Sequence, residues 1–218
     1  MKEKEGVIKY TLNHQDAEIE KDISIVEINA WRTVLFKLEL IGQIDARYDG
    51  YGFGNISQKV IDKNNIPSFI ISGSQTGGIE SLSKQHYCSV IEASPQQNTI
   101  ASIGKIEPSS EALTHASIYQ QDKTINSVIH IHCPEIWNYT KQLKLPYTSA
   151  DIEYGTPEMA NEVKRLFNSG QLKDIHIFSM LGHKDGVIAY SESMKKAAQT
   201  IISYYSQAIA LEQNKQQR

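Results

Sequence analysis

Apolar residues recur at helical spacing between Ser24 and Leu40, where Ile28, Trp31, Leu35 and Leu38 share one face. Ser24 with Glu27 three residues later has the form of a capping box, and Gly42 suits a C-terminal cap. The pattern predicts a helix that packs this stripe on the core. Before it, Gly6 to Thr11 reads as a short strand and polar Asn13 to Asp22 as loop, with His14 solvated. Strands are expected over Ile56 to Ile61, Ser68 to Ser72, Tyr87 to Glu92 and Thr99 to Ile103. Leu82 to Gln85 reads as one helical turn, and Ser94-Pro-Gln-Gln-Asn98 as the turn between two strands. Pro108 to Gln121 reads as a helix that Ser109 or Ser110 caps, and Val128 to His132 as a strand. Pro134 opens a helix to about Gln142, Pro146 to Tyr154 is loop, and Thr156-Pro157 opens a helix over Glu158 to Asn168. Asp174 to Leu181 and Val187 to Tyr190 read as strands. A last helix runs from Ser191 to about Leu211, with Ala197, Ile201, Tyr204 and Ala208 inward, and Glu212 to Arg218 frays. Strands joined by short turns, interleaved with helices, imply an α/β fold with a mixed, mainly antiparallel sheet and helices on its faces.

Composition narrows the classes. The chain has 218 residues, 40% hydrophobic and 22% charged, as a soluble globular protein does. That length, with no linker or repeat, favours a single domain over residues 1–218. The formal net charge of -3 supplies no basic field for nucleic acid. No apolar run approaches the roughly 18 residues of a membrane span, and the charged start Met1-Lys-Glu-Lys-Glu-Gly6 leads into no signal region. These features suggest a cytoplasmic protein without a membrane partner. Cys88 and Cys133 are then reduced thiols rather than a disulfide.

Chemistry concentrates between Glu107 and His132. Alternate side chains of a strand share a face, so His130 and His132 point one way and Ile131 the other. Two imidazoles so placed suit Zn²⁺ or a similar metal, although a half-exposed strand carrying two histidines is spelled the same way. Cys133 turns away from them. Glu111, in the first turn of the preceding helix, offers a carboxylate that could ligate or accept a proton. A carboxylate there also suits the helix dipole. His115, one turn on, reads as a packed or hydrogen-bonded histidine, His86 as structural, and His176 as facing away from the core. His183 sits at the tip of the turn Gly182-His-Lys-Asp-Gly186, where a third imidazole could be aimed at a metal or could simply be surface. Two glycine-rich stretches remain, Arg47-Tyr-Asp-Gly-Tyr-Gly-Phe-Gly-Asn-Ile-Ser57 and Gly73-Ser-Gln-Thr-Gly-Gly78. Such loops present backbone N–H groups to anions, but neither carries a P-loop lysine, which disfavours nucleotide phosphate.

Taken in order, Gly54-Asn55-Ile56-Ser57, Thr76-Gly77, Pro108-Ser109-Ser110-Glu111, His130-Ile131-His132 and Gly182-His183 resemble the class II aldolase/adducin family from Ser24 to the last helix. The resemblance implies a three-layer α/β/α domain, and a homotetramer with sites at subunit interfaces. It implies one Zn²⁺ per chain held by His130, His132 and His183, with Glu111 as acid/base. Gly54, Asn55, Thr76, Gly77, Ser109 and Ser110 match the positions that cradle substrate phosphate. The implied activity is a zinc-dependent aldolase-type lyase acting on a small sugar phosphate, or its aldehyde and ketone fragments, through a metal-stabilised enediolate. Tyr147, in the loop after the metal strand, is the expected proton donor to the aldehyde oxygen. Alternatives on the same scaffold are a sugar-phosphate dehydratase or epimerase, or a non-catalytic adducin-like interaction domain. Family epimerases carry aspartate where this chain has Glu111. Two departures stand out: His183 is followed by Lys184-Asp185 before Gly186, and Ser74-Gln75 extends the Thr-Gly loop. Beyond Arg47, which opens the first stretch, the loops have no lysine or arginine of their own, so an anion there depends mainly on backbone N–H groups, hydroxyls and a helix dipole, which leaves room for a substrate without phosphate.

Overall fold

A computed structural model of the chain describes residues 6–61 and 67–217. Met1 to Glu5 and Arg218, included in the expected single domain and in the expected fraying end, lie outside the described residues. Along the chain come β1 (Thr11–Asp16), α1 (Val26–Lys37), β2 (Gly42–Gln43), β3 (Gly52–Phe53), β4 (Asn55–Ile61), β5 (Pro67–Ser72), β6 (Tyr87–Ser94) and β7 (Thr99–Gly104). Then follow α2 (Ala112–Tyr119), β8 (Ser127–His132), α3 (Pro134–Asn138), β9 (Tyr147–Thr148), α4 (Pro157–Asn168), β10 (Ile177–Met180), β11 (Gly186–Ser191) and α5 (Met194–Gln216).

Nine strands form one sheet in the order β1-β7-β6-β5-β4-β8-β11-β10-β9, and β2 and β3 form a separate ribbon. The two outermost pairs, β1 with β7 and β9 with β10, are parallel, while the six inner pairings are antiparallel. Alternation along the strands divides the core in two. Ile56, Ile129, Ile131, Val187 and Ala189 meet α1, α3 and α5 on one face. Val128, Phe178, Ile188 and Tyr190 meet α2 and α4 on the other. This is the three-layer α/β/α arrangement with a mixed, mainly antiparallel sheet that the sequence implies. No helix among the described residues is long and apolar enough to cross a membrane.

Several local expectations are revised. The polar stretch holding His14 is strand β1, not loop, while Gly6 to Tyr10 is not strand. As an edge strand it is covered on one side only, so it never needed apolar alternation. His14 Nδ1 lies 2.9 Å from Ser102 Oγ on β7. Helix α1 has Ile25 at its N-cap with no side-chain capping bond, so the Ser24–Glu27 box does not form. The helix stops because Glu39, not a glycine, takes the left-handed conformation (φ 57°), and Gly42 serves β2 instead. Ile28 and Leu35 are fully buried, but Leu38 is 38% exposed and Arg32 is 1% exposed. The buried face is thus rotated toward a charged residue. Pro108 to Glu111 form a turn, and α2 begins only at Ala112. Helix α3 ends at Asn138, and α5 continues to Gln216 beyond the expected fraying point.

Candidate metal centre

Strand β8 lies between β4 and β11 in the middle of the sheet, with all six residues buried. Its register places Asn55 opposite His130 on one side, and Gly186 opposite His132 on the other. The tight turn from β10 into β11 therefore starts beside His132. His183 N–H donates to the Met180 carbonyl (3.0 Å), Gly186 N–H donates to the His183 carbonyl (2.9 Å), and Asp185 adopts φ 63°. A Cβ on Gly186 would lie 2.7 Å from His183 Cδ2 and 3.3 Å from His130 Cε1, so only glycine lets the third ring lie across the strand.

The three rings converge. Nitrogens of His130, His132 and His183 lie within 4.8 Å of one another, and all three residues are buried. His130 Nε2 and His132 Nε2 are 3.1 Å apart. Two nitrogen ligands at the usual Zn–N distance of about 2.0–2.1 Å stand roughly that far apart. Glu111, at the N-cap of α2, brings Oε1 to 3.3 Å from His183 Nε2 and 3.5 Å from His130 Nε2. Burial, then the neighbouring His183, hold the pKa values of both His130 and His132 well below the ordinary histidine range. Neutral imidazoles already have the lone pair a metal needs. Three such rings with a carboxylate alongside fit a borderline divalent metal with one coordination position left for oxygen. Cys133 turns to the opposite core layer, as expected, and donates to Glu135 Oε2.

The other expected residues fall into two groups. Gly54 (φ 73°) has no room for a side chain, because a Cβ would lie 2.8 Å from Ile41 Cγ1 and 3.1 Å from the His130 carbonyl. Asn55 is buried, and its Oδ1 has no partner among the described residues. Gly73 bridges Pro108, and Ser74 N–H donates to the Glu107 carbonyl (2.9 Å), tying the Thr76-Gly77 loop to the turn carrying Ser109, Ser110 and Glu111. Ser109 Oγ accepts the Glu111 N–H (3.3 Å). Thr76 Oγ1 donates to the Gly73 carbonyl (2.9 Å), so this hydroxyl's proton is committed to the turn. Tyr147 stands apart on the edge strand β9, 42% exposed, with Arg165 bonding its carbonyl.

Sequence reasoning passed over several residues at this centre. Tyr48 and Asp49 take left-handed backbone conformations (φ 51° and 55°), and the Tyr48 ring sits 4.6 Å from that of His132. Tyr48 O–H donates to Asp185 Oδ2 (2.8 Å), and Arg47 Nη2 donates to Tyr48 Oη (2.9 Å). Burial pushes the Tyr48 hydroxyl pKa up. Both residues belong to the glycine-rich stretch, where glycine drew the attention. Tyr154 packs its ring 4.5 Å from His183, and nothing in its sequence context marks it. His115 is the packed, hydrogen-bonded histidine expected: it is buried, and its Nδ1 lies 2.7 Å from Ser57 Oγ, which also meets Tyr119 Oη at 2.8 Å.

Comparison with known proteins agrees with this architecture. An L-fuculose 1-phosphate aldolase superposes with a TM-score of 0.63 at 18% identity, over 90% of this chain and 89% of that one. The L-fuculose-1-phosphate aldolase of Thermus thermophilus gives 0.61 at 16%, over 87% and 93%. The sugar-phosphate aldolase of Thermotoga maritima gives 0.61 at 13%, again over 87% and 93%. Identities this low speak for the fold alone. No curated protein matches the chain in sequence. Residues 44–208 match the family described as the Class II Aldolase and Adducin N-terminal domain, and since that is well over half of its length, the chain belongs to this family.

Proposed function

We propose that the protein is a metal-dependent aldolase-type lyase that makes or breaks a carbon–carbon bond in a small sugar phosphate. One observation carries the reading: Glu111 Oε1 lies 3.3 and 3.5 Å from nitrogens of two of the three clustered histidines. His130, His132 and His183 would hold the metal, and three imidazoles suit Zn²⁺. When bound, such an ion supplies Lewis acidity, which stabilises negative charge developing on a substrate oxygen. Glu111 takes and returns the proton at substrate carbon, from a buried position where competing water is scarce. Gly54, Asn55, Thr76, Gly77, Ser109 and Ser110 hold the anionic end, the serines beside the positive end of α2. Asn55, buried with an unpartnered oxygen, accepts a substrate hydroxyl. Tyr147 is assigned as proton donor to the aldehyde oxygen. Its exposure on an edge strand suits a residue that reaches the site of a neighbouring copy, in a homotetramer. The complete, buried donor set favours catalysis over a purely adducin-like scaffold role.

Elemental analysis of the purified protein is expected to find about one transition metal per chain, and His132→Ala to lose most of it. Glu111→Gln is expected to keep the metal and to lose deuterium exchange at carbon of dihydroxyacetone phosphate in heavy water. Metal retained in the first variant would remove the site, and exchange at the parental rate in the second would acquit the carboxylate.

A further inference from the structure

Among the described residues, Arg32 is the buried cation that no carboxylate balances. It projects from α1, is 1% exposed, and its guanidinium is enclosed by carbonyl oxygens of one loop. Nη1 donates to Ile79 O (2.5 Å) and Glu80 O (2.9 Å), and Nη2 donates to Thr76 O (2.8 Å) and Gly77 O (3.5 Å). Burying a guanidinium among neutral dipoles costs several kcal/mol, more than is needed to close a surface turn. Burial lowers its pKa, yet a guanidinium stays protonated in proteins.

The consequence lies on the far side of the loop. A peptide unit is planar and trans, so its N–H points opposite to its C=O. With the Thr76 and Gly77 carbonyls turned to Arg32, the N–H groups of Gly77 and Gly78 turn away from it. Neither amide has an acceptor among the described residues, although Gly77 is buried. A buried N–H without an acceptor is rare in a folded protein and marks a missing partner. Gly77 admits no side chain, because a Cβ would lie 2.3 Å from Gly42 O and 2.7 Å from Gly52 Cα. The loop is thus held in one shape, and the neighbouring ribbon carries Phe53, whose ring lies 5.5 Å from that of His132.

We infer that Arg32 is a positioning residue for the substrate's phosphate: from behind the loop it orients and polarises two peptide units whose N–H groups bind the anion. This rests on the reading that the Thr76-Gly77 loop is the phosphate site. It explains how the Thr76-Gly77 loop, which has no lysine or arginine of its own, takes a doubly charged group: the charge comes from α1 and acts through the backbone.

Titrating inorganic phosphate into Zn²⁺-loaded protein tests this. Arg32→Met should lose roughly ten- to hundredfold in phosphate affinity, the scale of charge-assisted hydrogen bonds, with Zn²⁺ affinity by chelator competition unchanged. Arg32→Lys, which keeps the charge, should recover part of the loss. In wild-type protein labelled with ¹⁵N-glycine, the Gly77 and Gly78 amide protons should move on adding phosphate, a readout that survives even if Arg32→Met does not fold. Equal phosphate affinity in wild type and Arg32→Met, or a parallel loss of Zn²⁺ affinity, would overturn the role of Arg32 alone, whereas Gly77 and Gly78 signals that stay unmoved while phosphate binds would place the anion elsewhere and overturn both that role and the loop's part in the phosphate site. Absence of phosphate binding by wild-type protein with intact Zn²⁺ binding would instead remove the phosphate site itself, and this inference with it.

Discussion

His115 shows what one buried residue does to the pH response. It is fully buried on α2, and burial lowers its pKa from 6.5 to about 3. The unfolded chain therefore binds this proton more readily than the folded one. Its contribution to stability is complete above the unfolded value and is lost as pH falls from about 6.5 toward 3. The slope approaches about 1.4 kcal/mol per pH unit for one group. His130 and His132 are shifted the same way, so the metal-free protein is steeper still. Denaturant unfolding of metal-free protein at pH 6 and pH 5 is expected to show this fall, and His115→Gln a slope shallower by about one proton. Identical slopes would mean that His115 is already protonated, or accessible, in the folded state.

At the scale of elements, the turn joining β10 to β11 is the part the centre can least do without. A Cβ on Gly182 would lie 2.1 Å from the Ile152 carbonyl oxygen and 3.1 Å from that of Ala150, both backbone atoms that cannot swing aside. Gly182→Ala should displace the turn, destabilise the protein by roughly 1–3 kcal/mol, and weaken Zn²⁺ binding while His130 and His132 stay in place on their strand. Calorimetric Zn²⁺ titration beside a thermal melt checks both, and unchanged Zn²⁺ affinity would show that the turn tolerates the methyl group. The same turn marks how far the sequence could be read. His130 and His132 were legible because a strand's period of two fixes their common face, and the core layers followed from the same alternation. His183 needed the resemblance, since a lone histidine in a turn has no periodicity to aim it. Arg32 was only half legible: four residues after Ile28 and three before Leu35 it falls on the buried face of α1 by helical period, but only the folded-back loop over residues 76–80 reveals the four carbonyls that receive its charge. Tyr48 and Asp185 meet across 137 residues, a pairing that no local pattern encodes.

At the scale of the molecule, the centre ties together segments far apart in sequence: α2 through Glu111, β8 through its two histidines, and the turn before β11 through His183. The unfolded chain does not hold these donors together, so a metal that binds all of them binds the native state far more tightly and stabilises all of it. At free Zn²⁺ of about 100 times the dissociation constant the gain is about 2.7 kcal/mol. For a chain of this length that raises the melting temperature by roughly 5–11 °C. Melts in EDTA and in graded Zn²⁺ are expected to show a midpoint climbing with the logarithm of free metal. In His132→Ala the climb should largely vanish, because two remaining imidazoles hold Zn²⁺ weakly. Glu111→Gln should keep most of it, since the three histidines stay intact, which separates the residue that works beside the metal from those that hold it. A midpoint insensitive to EDTA and to added Zn²⁺ would show that the three rings are packed for the core rather than poised for an ion.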